Sequence, residues 1–366
     1  MRAEAIVDLS AIKHNVAILK EKSGTQLLAV VKADAYGHGL VPVAKAALDA
    51  GAAMLGVALL EEAISLREAG ITAPILAWLV QPGSDYKSAI DLDIDLAAGS
   101  IKALHEIQAA SQNKKARVHL ELDTGMTRGG FLGEWAQLDA ADVAGLEIVG
   151  VFSHFARADE PAENQNAEQI ARFEEMVATL HGFGFTNVVR HLSNSAATLT
   201  NPAAAYEMVR TGIAMYGLTP DVAMGSSKDF GIRPAMQLRA ALYLVKDVPA
   251  GTPVGYGATE STTRDTKLGV VTMGYADGIP RVARNAGVWI NGKRAPIIGR
   301  VSMDQFVVDL GPDSTAKSGD WVVVFGNGSH GEYTADDWGA ASGSINYEIV
   351  TRIGPRVPRI YSAHVY

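Results

Sequence analysis

Cysteine is absent from the 366 residues, which excludes disulfides, thiolate metal sites and cysteine nucleophiles. Long apolar runs are missing too. The longest plain one, residues 73–80, falls far short of the ~18 to 20 residues a membrane-spanning helix needs, so no membrane partner is expected. Positive charge is in deficit: 32 Lys and Arg stand against 40 Asp and Glu, a formal net charge of −8, which argues against nucleic acid as the main partner. The nine histidines are scattered without metal-ligand spacing, so no metal site is expected. The N-terminus carries acidic residues and no apolar core before a cleavage site. It does not read as a secretory signal, and a cytoplasmic location is the expectation.

What is present is an ordinary globular composition, 48% hydrophobic and 20% charged, on a chain long enough for two domains. Short apolar runs at 27–31, 53–58, 73–79, 94–97, 117–122, 146–152, 188–192 and 207–210 alternate with segments of helical period such as 59–69 and 163–181. Eight such βα units predict a closed parallel barrel. Ahead of them, Leu9, Ile12, Val16 and Leu19 recur at helical spacing behind a cap at Asp8 or Ser10. After residue 231 the pattern turns to strands at 236–245, 267–273, 288–298, 305–310 and 321–325, with a hairpin signal at Asn291-Gly292 and a short helix near Asp336 and Asp337. The predicted architecture is α/β: a (β/α)8 TIM-type barrel over 1–231, then a mostly β C-terminal domain over 232–366 with which the extreme N-terminus pairs.

Barrel chemistry sits at the carboxyl ends of the strands. Lys32 ends the first run, inside AVVKADAYGHG, where partial desolvation lowers an amine's pKa and suits it to Schiff-base chemistry; simple pairing with a neighbour such as Asp34 would compete with that role. Ser195 follows the seventh run, and Gly212 and Ile213 follow the eighth, the rim where barrels bind phosphate; a plain turn with a helix cap at Ser195 would fit the same residues. Lysine and phosphate cradle on one rim suggest pyridoxal phosphate.

The segments AVVKADAYGHG, LDTGMTRGG, SHFA, NSA, RTGIAMYG, VGYGAT, GYADG, GRVSMDQ and INYE occur in the order found in alanine racemases, and the chain resembles that family over nearly its whole length. The resemblance implies an enzyme that interconverts L- and D-alanine on pyridoxal phosphate, supplying D-alanine for peptidoglycan, as a homodimer whose active sites take residues from both chains. It implies that Lys32 holds the cofactor covalently, that Tyr36, Ser195, Gly212, Ile213 and Tyr347 bind its phosphate, and that Arg210 faces its ring nitrogen. His154 would lie against the cofactor ring and link Arg210 to Tyr256, the second catalytic base, donated by the other chain. Arg128 and Met303 would contact the substrate carboxylate, with Asp304 beside Met303. Tyr275, Arg300 and Asp159 would line the entry channel.

A base of unperturbed pKa near 10, as in tyrosine, works poorly at neutral pH, so His154 and Arg210 are expected to tune Tyr256. Arg210 and the absence of cysteine argue against a basic amino-acid decarboxylase on the same scaffold. A racemase of wider specificity and a non-catalytic cofactor carrier are the rival functions. Glu121 departs from the family pattern, standing where many members carry a carbamylated lysine that braces the equivalent of Arg128. It keeps the negative charge on a shorter arm, so it is expected to orient Arg128 directly or through water. Glu121→Gln is expected to raise the Michaelis constant for alanine in steady-state kinetics, and unchanged kinetics would overturn that role.

Overall fold

The computed structural model describes residues 1–112 and 114–362. Two compact units emerge: one of Ile12–Ala35 and Leu40–Ile232, the other of Met1–Ala11, Tyr36–Gly39 and the chain from Arg233 on. The chain opens with β1 (Ala3–Asp8), and Asp8 rather than Ser10 starts the helix Leu9–Ser23. Its Oδ1 accepts from the amides of Ser10 and Ala11 at 2.8 and 3.1 Å, satisfying donors that a helix start leaves open.

Among the described residues, eight parallel strands follow: β2 (Gln26–Val30), β3 (Met54–Val57), β4 (Ile75–Ala77), β5 (Ile94–Ala98), β6 (Arg117–Glu121), β7 (Glu147–Phe152), β8 (Val189–His191) and β9 (Met208–Thr211). Their order is β8-β7-β6-β5-β4-β3-β2-β9. The ring closes where the Arg210 amide donates to the Ser193 carbonyl at 2.9 Å, next to β8. This is the parallel barrel read from the sequence. Its strands β3, β4 and β5 are buried on both faces, as a sheet wrapped in helices requires. One departure concerns the helices: after β6 the chain makes only a 3-10 turn, Gly133–Gln137, and after β9 another, Ile213–Tyr216. The β6 exit is spent instead on a glycine-rich loop. There Asp123 Oδ1 gathers the amides of Gly125, Met126 and Thr127 at 2.9, 3.1 and 3.0 Å.

In the other unit the 13-residue strand β10 (Met236–Val248) is the organiser. The short pair β11 (Pro253–Val254) and β12 (Glu260–Ser261) forms its own ribbon. β10 pairs with β1, with β13 (Thr266–Val271), and through β17 (Trp321–Phe325) reaches the hairpin of β14 (Gly287–Ile290) and β15 (Lys293–Pro296). Asn291 and Gly292 turn that hairpin at φ of 49° and 76°, as the dipeptide predicts. β16 (Phe306–Asp309) pairs with β13, and β18 (Arg359–Ser362) runs parallel to β1. The helix Ala335–Ser342 is capped by Thr334, with Asp337 reaching back to the Thr334 amide, and its Trp338 donates from a buried indole to the Val324 carbonyl at 2.8 Å.

Candidate active site

Lys32 sits just past β2. The strand end is held by Tyr216, whose buried hydroxyl donates to the Val30 carbonyl at 2.9 Å. From Ala33 to Tyr36 the backbone then turns the wrong way, with φ of 54°, 53°, 52° and 53°, a full turn of left-handed helix built from residues that disfavour it. Two carboxylates hold it there: Glu62 accepts from the Ala33 amide at 2.6 Å, and Asp34 accepts from the Leu40 amide at 2.7 Å. Asp34 is thereby committed to the backbone, and the Lys32 amine has no ion pair among the described residues, only the face of Trp78 at 5.9 Å. Desolvation first, then the Arg128 charge, lowers the Lys32 pKa against the pull of Glu62. A larger fraction of such an amine is unprotonated, and so able to attack or take a proton, at neutral pH than of a surface lysine.

Arg210, on β9, is buried. Its Nη2 donates to the Ser153 carbonyl at 2.6 Å, lies 3.3 Å from the Leu192 carbonyl and 3.2 Å from His154 Nδ1; its Nη1 donates to the His191 carbonyl and lies 3.3 Å from His191 Nδ1. The Nη protons are thus all taken, and Nε–H has no acceptor among the described residues. Burial lowers its pKa to about 10, opposed by Glu121 and reinforced by Arg128, so it stays charged at neutral pH. His154, just past β7, is driven well below the usual histidine range by burial and then by Arg210, Arg128 and Lys32, and is neutral. Gln169 holds its backbone: Nε2 donates to the His154 carbonyl at 2.9 Å and Oε1 accepts from Ala156.

Ser195 opens the helix Ser195–Thr200 but does not cap it; Asn194 does, accepting from the Ala197 amide at 3.0 Å. The Ser195 oxygen instead accepts from the amides of Gly212 and Ala214 at 2.9 and 3.3 Å. Its own proton has no acceptor among the described residues. Ile213 is buried at the start of the 3-10 turn.

Glu121, at the end of β6, is half-buried against the backbones of Gly129 and Gly99, where an added Cβ would lie 3.3 and 3.5 Å from its oxygens. Burial raises its pKa, opposed by Arg210 and Arg128. The direct bond to Arg128 is not formed: Arg128 rides on the exposed glycine-rich loop, and the short carboxylate makes no ion pair with it among the described residues. Asp159 stands beside Arg157, whose partners are Glu160 and Glu163.

The second unit carries the remaining candidates. The rings of Tyr36 and Tyr347 lie 6.2 Å apart, and burial pushes the Tyr36 hydroxyl pKa up. Tyr256 projects from a tight turn with Gly255 and Gly257 at φ of 72° and 77°. That turn lies against Arg300, whose amide and guanidinium an added Cβ on these glycines would approach at 3.2 and 3.4 Å. Tyr256, Met303 and Asp304 border one open depression. Tyr275 and Ala276 donate from their amides to the carbonyls of Ser302 and Met303, both at 3.0 Å, and Asp304 pairs with Arg356 at 2.7 Å. Tyr256 is 70% exposed and Met303 53%, large apolar groups left in water by this chain alone.

Within the barrel unit the donors fit an anionic, phosphate-bearing aldehyde such as pyridoxal phosphate. The unpaired Lys32 amine, the free Arg210 Nε–H and the unspent Ser195 hydroxyl proton offer a nucleophile, a ring-nitrogen donor and a phosphate donor.

Comparison with known proteins gives a single answer. The family models described as alanine racemase, N-terminal domain, and alanine racemase, C-terminal domain, match residues 7–220 and 235–361. The chain is 50% identical to the alanine racemase of Salinispora arenicola, covering 98% of each, and 50% identical to that of Thermobifida fusca, covering 99% of each. Its fold is similar to the crystal structure of alanine racemase from Streptomyces lavendulae, with a TM-score of 0.97 at 47% identity over 100% of this chain and 98% of that one.

The left-handed turn generates a stability prediction. Ala33 is exposed, so Ala33→Gly removes only the steric penalty, and in urea unfolding it is expected to leave stability unchanged or raise it by up to about 1 kcal/mol. A loss of about 1 kcal/mol, the cost of the same change in a right-handed helix, would contradict the left-handed conformation.

Proposed function

The chain belongs to the alanine racemase family, and from that premise we propose that it interconverts L- and D-alanine by a two-base exchange of the Cα proton on pyridoxal phosphate. The observation that carries the reading is the Lys32 amine: desolvated, without a counter-ion, and on the same barrel as Ser195 and Arg210. The cofactor, when bound, supplies the electron sink that makes the Cα proton of alanine acidic enough to remove.

The rest is the work of side chains. Lys32 holds the cofactor covalently and serves as acid and base on one face of Cα, its lowered pKa matching it to neutral pH. Tyr256 of the partner subunit serves on the opposite face, so that each base removes the proton from one enantiomer and returns it to the other. Such sharing requires a homodimer, and the exposure of Tyr256 and Met303 supports it. Ser195, Gly212 and Ile213 bind phosphate, while Tyr36 and Tyr347 are assigned to phosphate by the family resemblance alone. Arg210 would present Nε–H to the ring nitrogen; a guanidinium keeps its proton, so it would leave that nitrogen unprotonated and restrain side reactions. Arg128 and the Met303 amide take the substrate carboxylate, Glu121 balances the cationic charge beneath Arg128, Asp304 supports Met303, and Tyr275, Arg300 and Asp159 line the approach. D-alanine for peptidoglycan is the proposed product use, and the cytoplasm the proposed place. No helix among the described residues is long and apolar enough to cross a membrane.

The test is chiral chromatography of L-alanine incubated with the purified protein and pyridoxal phosphate, with L-serine and L-lysine in parallel. An equal mixture of enantiomers from alanine alone is expected. Comparable conversion of all three would replace this reading with a broad-specificity racemase, and no conversion despite a bound cofactor would replace it with a carrier.

A further inference from the structure

The barrel interior holds a string of titratable groups that the proton exchange does not use. β6 alternates: Val118 and Leu120 face one way, fully buried, while Arg117, His119 and Glu121 face the other. His119 Nδ1 lies 2.8 Å from His191 Nε2, and His119 Nε2 lies 3.4 Å from Asp95 Oδ2. Asp95 Oδ1 accepts from Arg117 Nε at 2.7 Å. At the other end, His191 Nδ1 lies 3.3 Å from Arg210 Nη1. Space for the rings is built in: Gly150 stands opposite His119 in register, and a Cβ there would sit 2.0 Å from His119 Nδ1. Phe152 stacks on His191 at 5.0 Å.

Donor and acceptor accounting fixes where every proton lies. A guanidinium can only donate, so His191 Nδ1 accepts from Arg210. The single proton of a neutral His191 is then on Nε2 and is donated to His119 Nδ1. His119 in turn carries its proton on Nε2 and donates it to Asp95. A second proton on either ring would set two donors face to face in a site where none of the three residues is more than 2% exposed. The titration directions agree with this arrangement. Burial drives His191 well below the histidine range, with His119 and Arg210 adding to it; Asp95 stays below the carboxylate range because bonds from His119 and Arg117 together outweigh its burial.

The geometry points to Asp95, His119 and His191 as a polarised chain of positioning residues that occupies Arg210 Nη1 and leaves Nε–H as its one available donor. The Asp95–Arg117 pair is the fixed negative end of the chain. Arg117 is part-exposed, so the anchoring charge is set where solvent stabilises the cation, while its effect is delivered in the dry centre. With the chain polarised toward Asp95, the guanidinium plane is held at both Nη atoms. With it reversed, His191 Nδ1–H would face Arg210 and push it out of register. The inference rests on the assignment of Arg210 to the ring nitrogen.

The test is long-range ¹⁵N–¹H NMR of the holoenzyme labelled with ¹⁵N-histidine, signals being assigned with His119→Gln. Both His119 and His191 are expected as the Nε2–H tautomer at neutral pH; an Nδ1–H or doubly protonated ring at either position would overturn the chain. Asp95→Asn keeps size and an acceptor but removes the charge. It is expected to lower kcat for alanine about tenfold with KM unchanged, as for a group that acts through another. Unchanged kcat would overturn the positioning role. Absence of racemisation in the wild-type protein would contradict the proposed function instead, and the tautomer measurement would still decide the polarity of the chain.

Discussion

A guanidinium buried at the centre of a barrel is the constraint from which much else follows. Removing such a charge from water costs several kcal/mol unless its protons find acceptors, so the chain must deliver carbonyls and ring nitrogens to the two Nη groups from two strands at once. Here they come from the ends of β7 and β8, through Ser153, His154, His191 and Leu192. The same residue's backbone amide closes the barrel against Ser193. Fold closure and site geometry are therefore one set of bonds, and a change that tilts Arg210 disturbs both.

The opposite condition holds at Lys32. Its neighbours with carboxylates are engaged elsewhere, Glu62 with three backbone amides and Asp34 with Leu40, so the amine is left with an aromatic face and the field of the Arg128 cation. The left-handed turn that follows is the local cost of this arrangement, since each L-residue there forgoes about 1 to 2 kcal/mol relative to a right-handed turn. Strain of this kind persists only where surrounding contacts over-determine it. The two carboxylates and the Tyr216 hydroxyl on the Val30 carbonyl supply those contacts.

Much of this was legible in the sequence because it is local. Apolar runs of strand length, the Asn291-Gly292 turn and a lysine closing an apolar run are all read within a few residues, and the family motifs supplied the remaining candidate residues. What was not legible depends on partners far away in the chain. Nothing in Ala33-Asp34-Ala35 signals a left-handed turn, since its determinant, Glu62, lies 29 residues on. The residue before Ser195, Asn194, is as good a cap as Ser195 itself, and the Ser195 hydroxyl is spared because the Asn194 side chain takes the cap while the distant Gly212 amide engages the serine oxygen. The helix expected after β6 is missing because Asp123 winds that exit into a loop. His119 and His191, 72 residues apart, carry no local pattern that would join them. Whether Glu121 reaches Arg128 depends on the path of the glycine-rich loop, and among the described residues the two form no ion pair.

The central claim is that one proton-exchange site is assembled from Lys32 of one chain and Tyr256 of its partner. The most direct measurement is complementation: Lys32→Ala and Tyr256→Phe chains, each inactive by itself, are co-expressed and assayed for alanine racemisation. A shared site in a two-fold dimer predicts recovery to about one quarter of wild-type activity, because half the dimers are mixed and each mixed dimer has one intact pair. A mixture as inactive as its parents would contradict the account.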